Sequence, residues 1–250
     1  MKKYKLTDET KERCGRTLHR IVAVRDFADV KVGDKGGWIE RESNLSHEGN
    51  CWVYDEAMVF KNAEVSGNAK VLDHATVYDN AVVFHNTAVY GSAEVFGNAM
   101  VYGWASVYDK AKVFGNATIH GRAKVYGRAQ ICAAAKVCGD AEVHNEAEVY
   151  GRAQICEAAK VCGDAEVSGE AYVCGDAVVS SNRDYIVFKN WWSSGRYFTW
   201  TRSNNKWKVG CFFGTGEELI RKAYCDSEES GREYERIVRY VEEILKAEEE

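Results

Sequence analysis

From Val53 to Val179 every sixth residue is Val or Ile, 22 positions without a slip, with Ile only at Ile119, Ile131 and Ile155. Two residues before each stands Ala in 20 of the 22 cases, Cys51 and Thr87 being the exceptions. Two residues after each stands Gly, Asp or Asn in 17, as at Gly67, Asp79, Gly115 and Asn145. Residues two apart in an extended segment share a side, so Ala and Val point the same way. Gly, Asp and Asn tolerate positive φ and mark a corner. Each hexad therefore predicts a short strand followed by a bend.

An antiparallel meander of more than twenty such strands would exceed the roughly ten that open sheets sustain. Three hexads per triangular 18-residue coil predict instead an all-β solenoid, a left-handed parallel β-helix of about seven coils packed inside with Ala and Val. At ~4.8 Å per coil its length is roughly 35 Å. A second-order repeat lies on top. The segment from Tyr150 to Val167 copies Tyr126 to Val143 with one change, Ala133 to Glu157. The offset is four hexads, not a whole number of coils, so the copy is expected on a different face. A site tuned to one face would not survive that shift, and these hexads read as scaffold.

Residues 1–50 carry no hexads and read as an N-terminal cap, with a strand-like run Ile21–Val24 and a glycine-rich bend Gly33–Trp38. Solenoids need their open ends covered. Residues 51–180 are the β-helix. Residues 181–250 form a small α+β module. Tyr185–Phe188, Arg196–Arg202 and Lys206–Phe213 predict strands. Thr215-Gly-Glu-Glu218 and Ser230-Gly-Arg-Glu233 predict capping boxes that open two helices.

The hexads resemble the hexapeptide-repeat superfamily of acyltransferases and γ-class carbonic anhydrases. A closer resemblance is to the YdcK-like group of bacterial and phage hexapeptide-repeat proteins. It is carried by Leu18–Val30, Gly36-Gly-Trp-Ile39, Glu48–Asp55 and the repeats themselves. That resemblance implies a left-handed β-helix with an N-terminal cap and no defined activity. The tail resembles one found on some phage hexapeptide-repeat proteins.

Composition adds constraints. No proline occurs in 250 residues, which suits a chain that is nearly all internal sheet. No apolar run reaches the ~18 residues of a membrane span, so no membrane partner is expected. The net charge of −5 argues against duplex nucleic acid. The first residues have no apolar leader, and nine cysteines then read as reduced thiols of the cytoplasm of a bacterium or a phage-infected cell.

Stacking at 18 residues makes the outside legible. Tyr90, Tyr108 and Tyr126 fall in one corner column, Phe96 and Phe114 in the next. Such ladders stabilise a parallel stack, and as contiguous aromatic patches they are also candidates for a homo-oligomer interface. The column His120, Cys138, Cys156 and Cys174 does not make a tetrahedral cage at ~4.8 Å spacing, so no metal is expected. Lys124-Glu142-Lys160 and Glu94-Lys112 stack as ion-pair ladders.

The hexads run without the loop insertion that acyltransferases of this superfamily usually carry, and His74, His85, His120 and His144 form no constellation. No cofactor is expected. The chain reads as a non-catalytic binding scaffold, with an acyltransferase as the alternative and a phage factor that captures a host protein or nucleotide signal as a third reading. The candidate partner site is the basic, aromatic stretch of the module. Arg196, Trp200, Arg202, Lys206, Trp207 and Lys208 surround a predicted turn at Ser203-Asn204-Asn205. There they would meet an acidic protein surface or a phosphate-bearing ligand.

Overall fold

A computed structural model describes residues 2–249. All 22 hexads form two-residue strands, from Trp52–Val53 to Val178–Val179. Each except the last three pairs in parallel with the strand 18 residues on, as Val53 with Val71 and Val95 with Val113. Successive hexads go to three different sheets, which makes a three-sided parallel β-helix. The Ala and Val or Ile of the hexads are buried throughout and form one continuous core. The copied block does change face: Gln130–Ile131 lies in the ten-stranded sheet and Gln154–Ile155 in the seven-stranded one.

Every corner from Asp55 to Gly175 has positive φ, including the four that are not Gly, Asp or Asn: Lys61, His85, Ala133 and Glu157. Position in the hexad, not residue type, sets this conformation. Glycine is preferred for a further reason. A Cβ on Gly97 would come 2.9 Å from the backbone N of Gly115 in the next coil. Several acidic corners add a bond to the next coil. Gly91 N donates to Asp73 Oδ2 at 2.9 Å and Gly127 N to Asp109 Oδ2 at 3.1 Å.

The β-helix starts before the hexads do. Trp38 and Ile39 pair in parallel with Met58 and Val59, and Leu45 bridges Val65. An irregular first coil therefore brings the total to about eight rather than seven. The glycine-rich bend is a packing device: a Cβ on Gly37 would lie 2.5 Å from Ala57 O. A hairpin, Tyr4–Arg13 and Arg16–Ala23, joins this coil antiparallel through Lys35–Ile39. It carries Leu18 onto Trp38, Met58 and Phe60, so the start of one outer face is covered.

Most backbone bonds between coils run forward, from an N–H to a carbonyl of the next coil. Trp52 N donates to Ala69 O at 3.0 Å and Tyr54 N to Val71 O at 2.8 Å. The first coil is thus left with carbonyls to satisfy and the last with N–H groups, and buried backbone groups must be paired. The chain supplies side-chain donors at the start. Lys3 Nζ donates to Cys51 O at 2.7 Å, and Tyr4 Oη to Leu45 O at 2.7 Å. Asn44 Nδ2 donates to Ala63 O at 2.8 Å. It supplies side-chain acceptors at the end. Asn182 Oδ1 accepts from Glu166 N at 2.7 Å, Thr199 Oγ1 from Tyr172 N at 2.8 Å and Ser203 Oγ from Val178 N at 2.6 Å.

The last three acceptors lie in or beside the C-terminal module, whose antiparallel sheet has four strands: Tyr185–Lys189, Tyr197–Thr201, Lys206–Val209 and Phe212–Gly214. The expected third strand is divided at Gly210, whose positive φ turns the chain into a hairpin. Helix α1 spans Gly216–Asp226 behind the expected capping box of Thr215 and Glu218. Helix α2 spans Glu228–Glu249 and begins earlier than expected. Ser230 lies inside it, and Ser227 Oγ accepts from Ser230 N at 3.1 Å. Both helices pack on the sheet through Leu219, Ala223, Tyr234, Val238 and Val241.

Candidate functional site

The solid interior leaves outer faces and the two ends as places for chemistry. The corner columns stack as expected. Tyr90, Tyr108 and Tyr126 have ring centroids 4.8 and 4.9 Å apart and nearly parallel. Phe96 and Phe114 stack at 4.9 Å. Each ring spends its faces on its neighbours, so these five side chains are half-buried. The charge ladders form too, with Lys124 to Glu142 at 3.0 Å and Lys112 to Glu94 at 3.2 Å. An amide ladder was not anticipated. Asn62 Nδ2 donates to Asn80 Oδ1 at 3.0 Å, Asn80 to Asn98 at 3.0 Å and Asn98 to Asn116 at 3.1 Å.

The largest exposed apolar groups on the β-helix are Trp104, 66% exposed, and Met100, 42% exposed. Sequence reasoning passed over both. Their signal was positional: each takes an outward hexad position at which Lys, Glu, Asn or Arg is common.

His120 lies flat on Tyr102 at 5.1 Å, and burial lowers its pKa, which favours the neutral ring. His144 stacks on Tyr126 at 4.7 Å. Neither holds a carboxylate that would orient it as a general base. Among the described residues no group of three or more His, Cys, Asp or Glu is arranged to hold a metal ion.

The module corrects the expected site. Trp200 and Trp207 are cross-strand partners on adjacent strands and are each 1% exposed. They are core residues and cannot serve as stacking platforms. Strand alternation sends Phe198 and Trp200 inward together, against the helices. The turn at Ser203-Asn204-Asn205 is not a free tip. Ser203 caps the last coil, Asn204 Nδ2 donates to Asp176 Oδ1 at 3.1 Å, and Asn205 Oδ1 accepts from Trp200 Nε1 at 2.9 Å. The cations beside it are engaged as well. Arg202 Nη1 pairs with Glu248 at 2.6 Å, and Lys208 Nζ lies 4.8 Å from the Tyr172 ring centroid. Lys206 is half-buried. The six expected residues therefore do not form one surface.

Arg196 is different. It is exposed and lines a cavity of about 220 Å³ between the sheet and the helices. The floor is apolar, with Phe198, Phe212 and Leu219, and the rim carries Arg196, Lys222 and Asp226. Tyr234 and Asn190 close the back, where Asn190 Nδ2 donates to Tyr234 Oη at 3.0 Å. Burial raises the pKa of that phenol. Tyr197, 46% exposed, stands at the mouth. An apolar floor with two rim cations suits a small body that bears an anionic group.

Over 82 residues the chain is 43% identical to the protein named Uncharacterized acetyltransferase YdcK of Escherichia coli (strain K12). Along that stretch the chain is YdcK-like. The match covers 28% of this chain, and it spans 24%, about a quarter, of the length of the curated relative. No family model matches. The parallel β-helix agrees with a hexapeptide-repeat architecture of the YdcK-like kind. No described helix is long and apolar enough to cross a membrane.

Proposed function

We propose that the protein is a non-catalytic β-helical scaffold whose C-terminal module binds a partner or ligand through the cavity at Arg196 and Lys222. The observation that carries this reading is the contrast between a β-helix filled solid by Ala and Val and an apolar-floored cavity in the module. The ligand class is an anionic group on a small apolar body, such as a nucleoside phosphate or an acidic chain end. Titration with adenosine monophosphate, followed calorimetrically and by melting temperature, tests it. Binding should raise the melting temperature by linkage and vanish in Arg196→Ala/Lys222→Ala. No binding by either method, or binding that the double variant retains, sinks the cavity as the site.

The printed name of the relative favours acetyl transfer as a second reading. Acetyl-CoA that stabilises the protein and is turned over to free CoA would replace the scaffold reading. We further propose self-association through the Tyr90, Tyr108 and Tyr126 ladder and the Phe96 and Phe114 ladder, which border the ten-stranded face, with Met100 and Trp104 exposed on the adjoining side of the Phe ladder. A 28.0 kDa monomer by light scattering at micromolar concentration would remove that proposal. Nine cysteines, an odd number, would suit a reducing compartment such as the cytoplasm.

A further inference from the structure

Near the last coils three cysteines fall one above another, Cys138, Cys156 and Cys174, at the residue after the core Val or Ile. The strands that carry the first two are in register, Lys136 with Gln154 and Val137 with Ile155. Adjacent parallel strands lie about 4.8 Å apart, inside the ~4.4–6.8 Å range of Cα separations that a disulfide spans. The thiol of Cys138 donates to Cys156 Sγ, and the two sulfurs are 2.8 Å apart, closer than ordinary contact between unbonded sulfurs.

We propose that Cys138 and Cys156 form an oxidisable dithiol that a small hydroperoxide converts to a disulfide joining adjacent coils. The two thiols are set up for unequal roles. Cys156 is the easier to ionise, its pKa lowered by the thiol of Cys138 that donates to it. The Cys138 S–H supplies most of that effect, and the Tyr172 hydroxyl and the Lys208 ammonium assist, against burial and the Glu157 carboxylate. Cys138 stays protonated, because donating to Cys156 and burial both hold its proton in place, with Lys136 opposing only weakly. Cys174 is buried, its thiol pushed up to about 12 by burial, and it makes no sulfur contact of this kind.

The chemistry balances. The Cys156 thiolate attacks one peroxide oxygen, the O–O bond breaks, and the leaving alkoxide or hydroxide takes a proton. The resulting sulfenic acid is attacked by the Cys138 sulfur. Its S–O bond breaks, an S–S bond forms, and the hydroxyl leaves as water with the Cys138 proton. Two thiols are oxidised by two electrons, and the hydroperoxide is reduced to an alcohol or water. The nucleophile is the thiolate, and the same disulfide results whichever sulfur of the contacting pair is oxidised first.

Trypsin should separate the partners. Residues 137–152 carry Cys138 alone, and residues 153–160 carry Cys156 alone. The reduced full-length protein is treated with a few equivalents of hydrogen peroxide, blocked with N-ethylmaleimide and digested. The expected product is these two peptides linked, two mass units below their sum, and released by dithiothreitol. The link should be lost in Cys138→Ser and Cys156→Ser and retained in Cys174→Ser. Glu157, in place of Ala133, identifies the 153–160 peptide against its copy at 129–136. No link in the unmodified chain, or a link from Cys156 to the 161–183 peptide that holds Cys162 and Cys174, overturns the proposal. Because the decisive measurement uses the unmodified chain, it does not depend on any variant folding.

Discussion

Glu157 Oε2 accepts the backbone N–H of Gly175 at 2.9 Å, one coil further on. Its counterpart in the earlier copy, Ala133, occupies the same left-handed corner, φ 56° against 60°, with no side-chain acceptor to offer. Left-handed backbone costs a residue with a Cβ about 1–2 kcal/mol, partly offset by the chain entropy that glycine loses. Ala133→Gly should therefore stabilise by about 0.5–1 kcal/mol, and Ala133→Asp should also gain by accepting from Gly151. Glu157→Ala should lose about 0.5–1 kcal/mol. Urea midpoints measured on the three variants decide this. A destabilised Ala133→Gly would mean that the corner is not strained.

The end cap predicts a local effect. Ser203→Ala leaves the Val178 N–H, now bonded to Ser203 Oγ at 2.6 Å, without its acceptor. The cost should be about 0.5–1.5 kcal/mol, the net worth of one hydrogen bond exchanged for water at an exposed end. Hydrogen exchange should show the amide of Val178 opening faster while that of Val113, mid-rod, keeps its protection. Equal acceleration at both would indicate global rather than end opening.

Acid should loosen the N-terminal hairpin. Glu56 accepts from Lys11 Nζ at 2.8 Å, Arg20 Nη2 at 2.8 Å and Trp38 Nε1 at 3.0 Å. The Lys11 and Arg20 bonds, with help from Trp38, lower its pKa from 4.5 to about 2. The unfolded chain takes up this proton first, so the stabilisation is complete above pH 4.5 and is lost as pH falls toward 2. Glu56→Gln should be less stable than the unmodified chain at neutral pH, and the gap should close across that window. A gap that is constant with pH would remove the carboxylate from this role.

The core tolerates no charge. Val113 is fully buried between Val95 and Ile131. Val113→Asp would place an unpaired carboxylate there at a cost of several kcal/mol. Circular dichroism should show loss of the β signal or a sharply lower melting temperature. A variant that melts like the original would contradict the packing described above.

The β-helix was legible because the chain writes its period directly: Val53, Val59 and Val65 name the three faces before the pattern repeats at Val71. Corners such as Lys61 and His85, which break the residue preference, were still placed by position. The module was less legible because its signals have two readings. Ser203-Asn204-Asn205 is as polar as a solvated turn, yet these side chains also satisfy the rod's end. Basic residues near Trp200 and Trp207 resemble a binding surface, but alternation alone does not tell which tryptophans face the helices. Gly210 turns the chain inside an otherwise continuous apolar run. Lys222 and Asp226 meet Arg196 only after α1 folds back over the sheet, so no local pattern announced the cavity.

Because each hexad advances the chain by one face, inserting hexads does two things at once. Three lengthen the rod and leave the angular setting of its ends unchanged. Four, the offset between the two copies that begin at Tyr126 and Tyr150, lengthen it and also turn everything downstream by about a third of a revolution. The core is indifferent, since every face is lined by the same Ala and Val. What changes is the bearing of the Arg196 cavity relative to the N-terminal hairpin. The repeat thus works as a ratchet with three stops, able to re-aim one end of the molecule without redesigning either.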